Sequence, residues 1–291
     1  MQTWKVGDVT ITQIVELTFQ GLDAFLPDAT PEAVLPIEWL RPDFVTPEGV
    51  LKFSIHALVI DTGTRRIIVD TCVGNEKPRD VFPDWHMLQT AFLDDLTAAG
   101  YPPDTIDTVL CTHLHLDHVG WNTMLRDGEW VPTFGNARYL IERSEYAYVS
   151  EEAEAENVEP WLRDMNRAVM ADSIRPVVDA KLVDLVASDH RICDEVRLIP
   201  TPGHTIGHVS VQIESASESA LITGDFIHHP CQLVHPEWSV TTDFDPVASR
   251  ATRVDAFAEL AGTPTLVIGT HWPEPAAGKI VRDGNNYRLV Y

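Results

Sequence analysis

The chain has 291 residues, of which 44% are hydrophobic and 22% are charged, a balance typical of a globular protein rather than a disordered one. Its 44 acidic residues outnumber its 21 lysines and arginines, so the formal net charge is −23, and this charge argues against nucleic acid as a partner because an acidic surface repels phosphates. No stretch is apolar enough to span a membrane, the first residues lack a signal-peptide pattern and the four cysteines form no close pair, so we expect a cytoplasmic protein with no membrane partner.

The N-terminal third predicts strands that are interrupted by one long loop. Val9–Val15 alternates apolar and polar residues, as a half-buried strand does. Residues 21–49 contain five prolines between apolar residues, which predicts a loop that forms a pocket rim or a dimer contact. Phe53–Ile60 and Arg66–Val69 are predicted strands joined by a turn, and Trp85–Ala99 is a predicted helix.

The rest of the chain predicts strands with helices between them. Thr108–Cys111 is a short buried strand, and Ala137–Ile141 is another. Arg143–Val149 and Pro160–Met170 are predicted helices, joined by the acidic, solvated run 151–159. The later predicted elements are strands at Glu195–Ile199, Val209–Ile213, Ala220–Thr223 and Thr265–Gly269, a helix at Pro246–Ala261 and a hairpin at Lys279–Val290. Since no repeat or linker divides the sequence, we expect residues 1–291 to form a single domain.

The strongest chemical signal is the segment Thr112–Gly120, which contains His113, His115, Asp117 and His118. Imidazole and carboxylate groups are preferred ligands of zinc and similar divalent ions. In an extended segment residues two apart share a face, so His113 and His115 point the same way from the end of the preceding strand. The spacing therefore predicts a metal site, with Asp117 and His118 turned toward a second position.

Three later segments add candidate ligands. His204 stands in the tight turn of Pro200–Thr205, Asp225 follows a predicted strand, and His271 ends a late strand. All four segments lie where a strand passes into a loop, which is where folds that mix helices and strands tend to place active sites.

The order of these motifs, HxHxDH followed by His, Asp and His, resembles the metallo-β-lactamase superfamily over nearly the whole chain. The resemblance implies an α+β fold, the αββα sandwich, with a pair of metals at one edge of the two sheets. It implies that one metal is held by His113, His115 and His204. It implies that the other is held by Asp117, His118 and His271. Asp225 would bridge the two, and Asp70 would orient a ligand histidine.

Departures from other branches narrow the implied activity. Asp225 stands where true β-lactamases of this fold lack a bridging aspartate, so hydrolysis of β-lactams is not favoured. His115 stands where flavodiiron oxidoreductases carry glutamate, which argues against redox chemistry. Glyoxalase II-like thioesterases share the ligands, but the chain lacks a clear basic glutathione-binding signature. Residues 224–232, 236–240 and 253–258 resemble the methyl parathion hydrolase-like group. Quorum-quenching lactonases also share the ligands but typically have tyrosine at the position of His228, which argues against acyl-homoserine lactones as the natural substrate.

We therefore expect a hydrolase with two divalent ions, zinc before manganese, cobalt or iron, that attacks a small-molecule ester-like bond with a metal-bridging hydroxide. A lactone or aryl ester is the first substrate class; an organophosphate triester is the alternative, and a non-catalytic metal-binding protein is a further one. The expected catalytic residues are Asp117, Asp225 and His228, with His228 as a proton donor to the leaving group. Aromatic residues near the ligands are expected to line the substrate pocket, foremost Trp121, Phe226 and Trp272, then Trp85, Phe134 and Trp238. The resembling branch implies a homodimer.

Overall fold

The computed structural model describes residues 1–21, 24–156 and 159–291. Its strands β1 to β15 are Thr3–Val6, Val9–Gln20, Lys52–Asp61, Arg66–Val69, Thr108–Leu110, Thr123–Arg126, Glu129–Pro132, Arg138–Glu142, Val183–Val186, Val196–Pro200, Val209–Ser215, Glu218–Ile222, Leu266–Ile268, Ala277–Asp283 and Asn286–Val290. The α-helices α1 to α6 are Pro31–Val34, Phe92–Ala98, Arg143–Glu154, Pro160–Val169, Arg175–Asp179 and Pro246–Leu260. Short 3₁₀ turns lie at Glu38–Leu40, Pro83–Trp85, Pro103–Thr105, Gly120–Asn122, Gly224–Phe226 and Pro230–Leu233, and a π-helical turn at Met170–Ile174.

Two large sheets make up most of the described strands. The first has seven strands in the order β1-β2-β3-β4-β5-β8-β9, and the pairs β4–β5, β5–β8 and β8–β9 are parallel. The second has six strands in the order β10-β11-β12-β13-β14-β15, in which β12–β13 is the parallel pair. Strands β6 and β7 form a separate hairpin. Strands β5, β12 and β13 of the parallel pairs are short, and the chain leaves each of them into a loop that carries candidate ligands.

Three buried hydrophobic clusters show how the sheets and helices are layered. One joins apolar residues of both sheets, such as Ile60 and Ile67 of the first with Val211 and Ile222 of the second, so it lies between the sheets. A second covers the outer face of the first sheet with α2, α3 and α4. A third covers the outer face of the second sheet with α6. Because both faces of both sheets are covered, strands such as β3 are buried along almost their whole length. The α+β sandwich with helices outside is confirmed.

The proline-rich segment is a packed layer. Leu26, Leu40 and Phe44 are at most 2% exposed and join the cluster on the outer face of the second sheet. Phe25 reaches the cavity described below, so this segment contributes to a pocket rim. Leu22 and Asp23 lie outside the described residues.

Several predicted boundaries were wrong. Helix α2 begins at Phe92 rather than at Trp85, because Trp85 ends a 3₁₀ turn and packs on Phe82 and Phe19. Helix α3 continues through Glu154, so half of the acidic run is helical and not a connection. Asn157 and Val158 of that run lie outside the described residues.

Strands β1, β6, β7 and β9 were not predicted. Each has four residues, too few for a clear alternation to stand out in the sequence. Among the helices of the described residues, none combines the length and apolar character needed to cross a bilayer.

Candidate active site

The predicted metal-ligating residues converge at one edge of the sandwich. Strand β5 is followed by His113, His115, Asp117 and His118, while β10, β12 and β13 are followed by His204, Asp225 and His271 in that order. The first sheet therefore supplies four of these residues and the second sheet supplies three. The structure brings together all seven residues that the sequence singled out.

Asp225 lies at the centre of this cluster and is 3% exposed. Its Oδ2 atom approaches the Nε2 atoms of five histidines, which are His271 at 3.0 Å, His228 at 3.1 Å, His118 at 3.3 Å, His204 at 3.6 Å and His113 at 3.9 Å. The Oδ2 atom of Asp117 lies 3.7 Å from Nε2 of His118 and 3.6 Å from Nε2 of His271. Two carboxylates thus share one group of imidazoles.

The donor atoms of His204 and His115 fit a cation between them. His204 donates its Nδ1 hydrogen to Asp243 over 2.9 Å, so Nε2 carries a lone pair. That Nε2 faces Nδ1 of His115 at 3.0 Å. Burial lowers the pKa of both imidazoles well below the ordinary value, so both rings are neutral. Neutral imidazole is the form that binds a metal ion.

On the other side of Asp225 the electrostatics also favour a cation. Burial acts to lower the pKa of His118, but Asp225 and Asp117 outweigh it and raise the pKa well above the ordinary value. His271 responds in the same way to the same two carboxylates. Positive charge is therefore favoured at this position, and a divalent ion would supply it.

Buried polar atoms without a hydrogen-bond partner also favour a bound cation. Nε2 of His113 and Oδ1 of Asp225 have no hydrogen-bond partner among the described residues, and burying such groups alone is costly. Four sets of three ligand atoms each lie within 4.8 Å of one another: His113, His115 and His204; His113, His118 and Asp225; Asp117, His118 and His271; and His204, Asp225 and His228. The residues fit divalent metal ions.

Asp70, which the resemblance implies orients a ligand histidine, hydrogen-bonds His118. Its Oδ2 atom accepts a hydrogen bond from Nδ1 of His118 over 2.9 Å and another from the Thr112 hydroxyl. Its Oδ1 atom accepts the backbone N–H of Thr112. Asp70 has a φ of 56°, a left-handed backbone that is costly for a residue other than glycine and that is typical of functional sites.

Two further orienting residues were not predicted. Asp243 fixes His204 and lies beside the buried guanidinium of Arg253, with 3.7 Å between Oδ2 and Nη1. His208 accepts the backbone N–H of Asp225 at its Nε2 atom over 2.7 Å, and burial lowers its pKa to about 4. The repeated Gly-His pair at 203–204 and 207–208 is a signal that could have revealed His208. No local pattern marks Asp243, which is distant from His204 in sequence.

His228 is fully buried beside the cluster. Its ring lies parallel to that of His271 with centroids 5.9 Å apart, and the ring of Phe25 meets it edge-on at 5.2 Å. Neither of its nitrogens has a hydrogen-bond partner among the described residues, although Nε2 lies 3.1 Å from Oδ2 of Asp225. The structure therefore places His228 against the carboxylate of Asp225, with its Nε2 atom among the other candidate ligand atoms.

A cavity of about 480 Å³ opens onto the cluster. Five candidate ligands lie on its wall, namely His115, Asp117, His204, Asp225 and His271. The wall also contains aromatic residues that include Phe19, Phe25, Phe53, Phe82, Trp85, Tyr148, Trp161 and Phe244. Its charged wall groups are carboxylates, including Glu145 and Glu152, and its described lining contains no lysine or arginine. The cavity therefore suits an apolar molecule without negative charge.

The three aromatic residues predicted first for this pocket lie elsewhere. Trp121 is 4% exposed and stacks on Phe92, while its indole N–H donates to Glu16. Phe226 and Trp272 are at most 1% exposed and belong to the core cluster outside the second sheet. Nearness in sequence to a candidate ligand misled the prediction, because only some neighbouring side chains, such as Leu116 and Thr205, face the cavity, while these three aromatic side chains face the core.

The further candidates divide in the same way. Trp85 lies on the cavity wall as expected. Phe134 and Trp238 are buried in the core clusters, because each packs under a sheet rather than at its edge.

Sequence comparisons agree with this geometry. The profile of the metallo-beta-lactamase superfamily matches residues 51–271. An N-acyl homoserine lactonase of Bacillus thuringiensis is 28% identical over 193 residues, which cover 62% of this chain and 67% of the relative. A probable metallo-hydrolase of Mycobacterium tuberculosis is 27% identical over 195 residues, which cover 60% of this chain and 57% of that protein.

Solved structures extend the likeness to nearly the whole chain. The hydrolase AbOPH, described as a member of the beta lactamase superfamily, superposes with a TM-score of 0.81 at 25% identity, covering 99% of this chain and 96% of the other. A dizinc quorum-quenching lactonase in complex with its product superposes with a TM-score of 0.76 at 20% identity, again covering 99% and 96%. At that identity the second likeness shows the fold alone.

Proposed function

The chain belongs to the metallo-β-lactamase superfamily and is a metal-dependent hydrolase, and from that premise we propose that it uses two divalent ions to hydrolyse a neutral ester-like bond, either a lactone or an aryl ester. The observation that carries the proposal is the convergence of five imidazoles on Oδ2 of Asp225 at the end of an apolar cavity. The relatives named above support the class of reaction, and the cavity supports the class of substrate.

The proposed ligand set follows the contacts of the described residues. His113, His115 and His204 would hold one ion, Asp117, His118 and His271 would hold the other, and Asp225 would be shared. When bound, divalent ions supply an acidified water for attack and positive charge for the developing oxyanion. Nitrogen and oxygen donors of this kind accept zinc, manganese, cobalt and iron, with zinc as our proposal.

The protein's own residues would orient these ligands and the substrate. Asp70 and Asp243 fix the rings of His118 and His204, so that Nε2 of each ring points to Asp225. The aromatic wall excludes water and binds the apolar part of the ester. His228 would hold a proton at Nε2 for the departing oxygen.

Metal analysis with activity assays tests the proposal. We expect elemental analysis of metal-reconstituted protein to give two divalent ions per chain. We expect p-nitrophenyl acetate and simple lactones to be hydrolysed, and a chelator to abolish both activities. One ion or none per chain, or turnover that survives complete metal removal, would contradict the dinuclear mechanism.

A neutral phosphotriester is the second candidate substrate, because the same apolar cavity without lysine or arginine in its described lining suits it equally. A panel of lactones, aryl esters, paraoxon-type triesters and β-lactams, ranked by kcat/KM, separates the two candidates. Lactones or aryl esters at the top of the ranking support our first assignment, and triesters at the top support the second.

We also predict that the cavity discriminates against negative charge on the substrate. The p-nitrophenyl esters of hexanoic, 6-aminohexanoic and adipic acid have acyl chains of similar length that end in a methyl group, an ammonium group and a carboxylate. The amino ester is the control for polarity, since it carries a charge of the opposite sign. The adipate ester should have a kcat/KM about tenfold or more below that of the hexanoate ester, because the wall carries the carboxyl groups of Glu145 and Glu152 and no lysine or arginine in its described lining.

Salt and a single substitution provide the controls for this prediction. Added salt should reduce the difference in kcat/KM between the adipate and hexanoate esters, because dissolved ions screen charges that solvent can reach. Glu152→Gln removes one wall charge and should narrow the gap as well. Equal kcat/KM values for the adipate and hexanoate esters at low salt would show that the wall charges do not act on the substrate.

A further inference from the structure

A buried glutamate stands beside the cluster without a cationic partner. Glu145 lies in the first turn of α3 and is 1% exposed. Among the described residues, no lysine or arginine lies within salt-bridge distance of it. Burial raises the pKa of its carboxyl group, while backbone N–H groups act in the opposite direction. A buried carboxyl without a counter-charge is costly, so its hydrogen bonds must compensate for the loss of water.

Those hydrogen bonds join the two ligand-bearing loops. Oε1 of Glu145 accepts the backbone N–H of Leu114 over 3.1 Å, and Leu114 stands between His113 and His115. Oε2 accepts the backbone N–H of Gly207 over 3.0 Å, and Gly207 lies three residues after His204. One carboxylate therefore holds the loop of the first sheet against the loop of the second sheet.

The approach of the second loop to α3 depends on glycine. A Cβ atom at Gly207 would lie 2.3 Å from Oε2 of Glu142 and 2.6 Å from the backbone nitrogen of Glu145. Glu142 cannot easily move away, because its carboxylate caps α3 by accepting the N–H groups of Ser144 and Glu145. Any larger residue at Gly207 would push its N–H group away from Glu145.

We propose that Glu145 is a positioning residue that sets the distance between the His113–His115 loop and the His204 loop, and thereby the metal affinity of the three histidines they carry. This inference rests on the proposed metal site. Glu145 itself would contact no metal ion: it acts through the backbone of Leu114 and Gly207. Outer groups that orient metal ligands typically contribute a factor of 10 to 100 in affinity.

Cobalt titration of the metal-free protein, followed by the visible absorption of bound Co²⁺, tests this role without any activity assay. Glu145→Gln keeps the shape but turns an amide NH₂ toward a backbone N–H, and Glu145→Asp keeps the charge but is too short to reach both loops. We expect each variant to bind cobalt about 10- to 100-fold more weakly at the three-histidine position. Gly207→Ala should have the same effect.

Matched controls separate positioning from general destabilisation. Glu151→Gln changes an exposed glutamate of the same helix, and Gly135→Ala adds a Cβ with no atom within 4 Å, so both should bind cobalt as the wild type does. If the Glu145 variants bound cobalt within twofold of wild type while the metal-free protein melted at a lower temperature, Glu145 would be only structural and our inference wrong. A wild-type protein that bound no cobalt would overturn the proposed metal site and this inference together.

Discussion

Asp225→Ala should reduce kcat/KM for every substrate by about 10³-fold or more and should lower the metal content of the purified protein. Five imidazole nitrogens lie within 3.9 Å of the Oδ2 atom of this residue, and the surrounding histidines keep its pKa well below the ordinary value although burial opposes them. Removing the carboxylate leaves those imidazoles without the negative charge that makes a cation favourable among them. Steady-state kinetics and elemental analysis of the same preparation measure both effects.

Asp225→Asn is the matched control for this prediction. The amide keeps the size of the side chain and one oxygen, so partial metal occupancy and a smaller loss of rate are expected. Circular dichroism should show that both variants fold, because the sheets are held together by an apolar core away from the cluster. A metal content equal to wild type in Asp225→Ala, with a rate within threefold, would rule out the bridging role.

His228→Ala should reduce the rate of hydrolysis most for substrates whose alkoxide is a poor leaving group. Nε2 of this buried ring lies 3.1 Å from Oδ2 of Asp225, so a proton on it would lie next to the proposed metal site. A general acid contributes roughly 10²- to 10⁴-fold, and alkyl lactones with poor alkoxide leaving groups should lose that much. p-Nitrophenyl esters, whose phenolate leaves without help, should lose far less.

Metal content distinguishes this role from ligation. If His228→Ala retains the metal of the wild type and shows the leaving-group dependence, the ring acts as an acid. If metal is lost and all substrates slow equally, His228 is a ligand, as its grouping with His204 and Asp225 allows. Small and equal losses at full metal content would mean that the ring only shapes the pocket, together with Phe25.

The convergence of the seven candidate ligands could be predicted from the sequence because these residues occur in short motifs directly after strands. The spacing of His113, His115, Asp117 and His118 depends only on local backbone geometry, which the sequence pattern encodes. Helices α2, α3, α4 and α6 were also predicted, although the beginning of α2 was not, since the packing of Trp85 on distant rings overrides its local helical pattern. Helices α1 and α5, of four and five residues, were not predicted, because elements so short leave little periodicity in the sequence.

The orienting groups could not be predicted, because their partners are far away in the sequence. Asp243 and His204 follow different strands of the second sheet and meet once that sheet has formed, whereas Glu145 meets Gly207 only after both sheets have packed together. The prediction of the foremost pocket-lining residues was wrong because the direction of a side chain also depends on distant packing. Trp121 and Trp272 follow candidate ligands in the sequence, but their side chains face the core. The single domain over residues 1–291, the homodimer and the cytoplasmic location stay predictions.

The division of the ligands between two sheets has a consequence for how the protein matures. The three histidines of one proposed position come from β5 and β10, which lie in different sheets, so that position is incomplete until the sheets have docked. Long-range contacts of this kind form late in folding. Metal binding would therefore follow folding rather than nucleate it. The bound ions would then link the loops of the two sheets after these sheets have packed together. When the concentration of free metal is a hundredfold above Kd, one ion that binds only the native state stabilises it by about 2.7 kcal/mol.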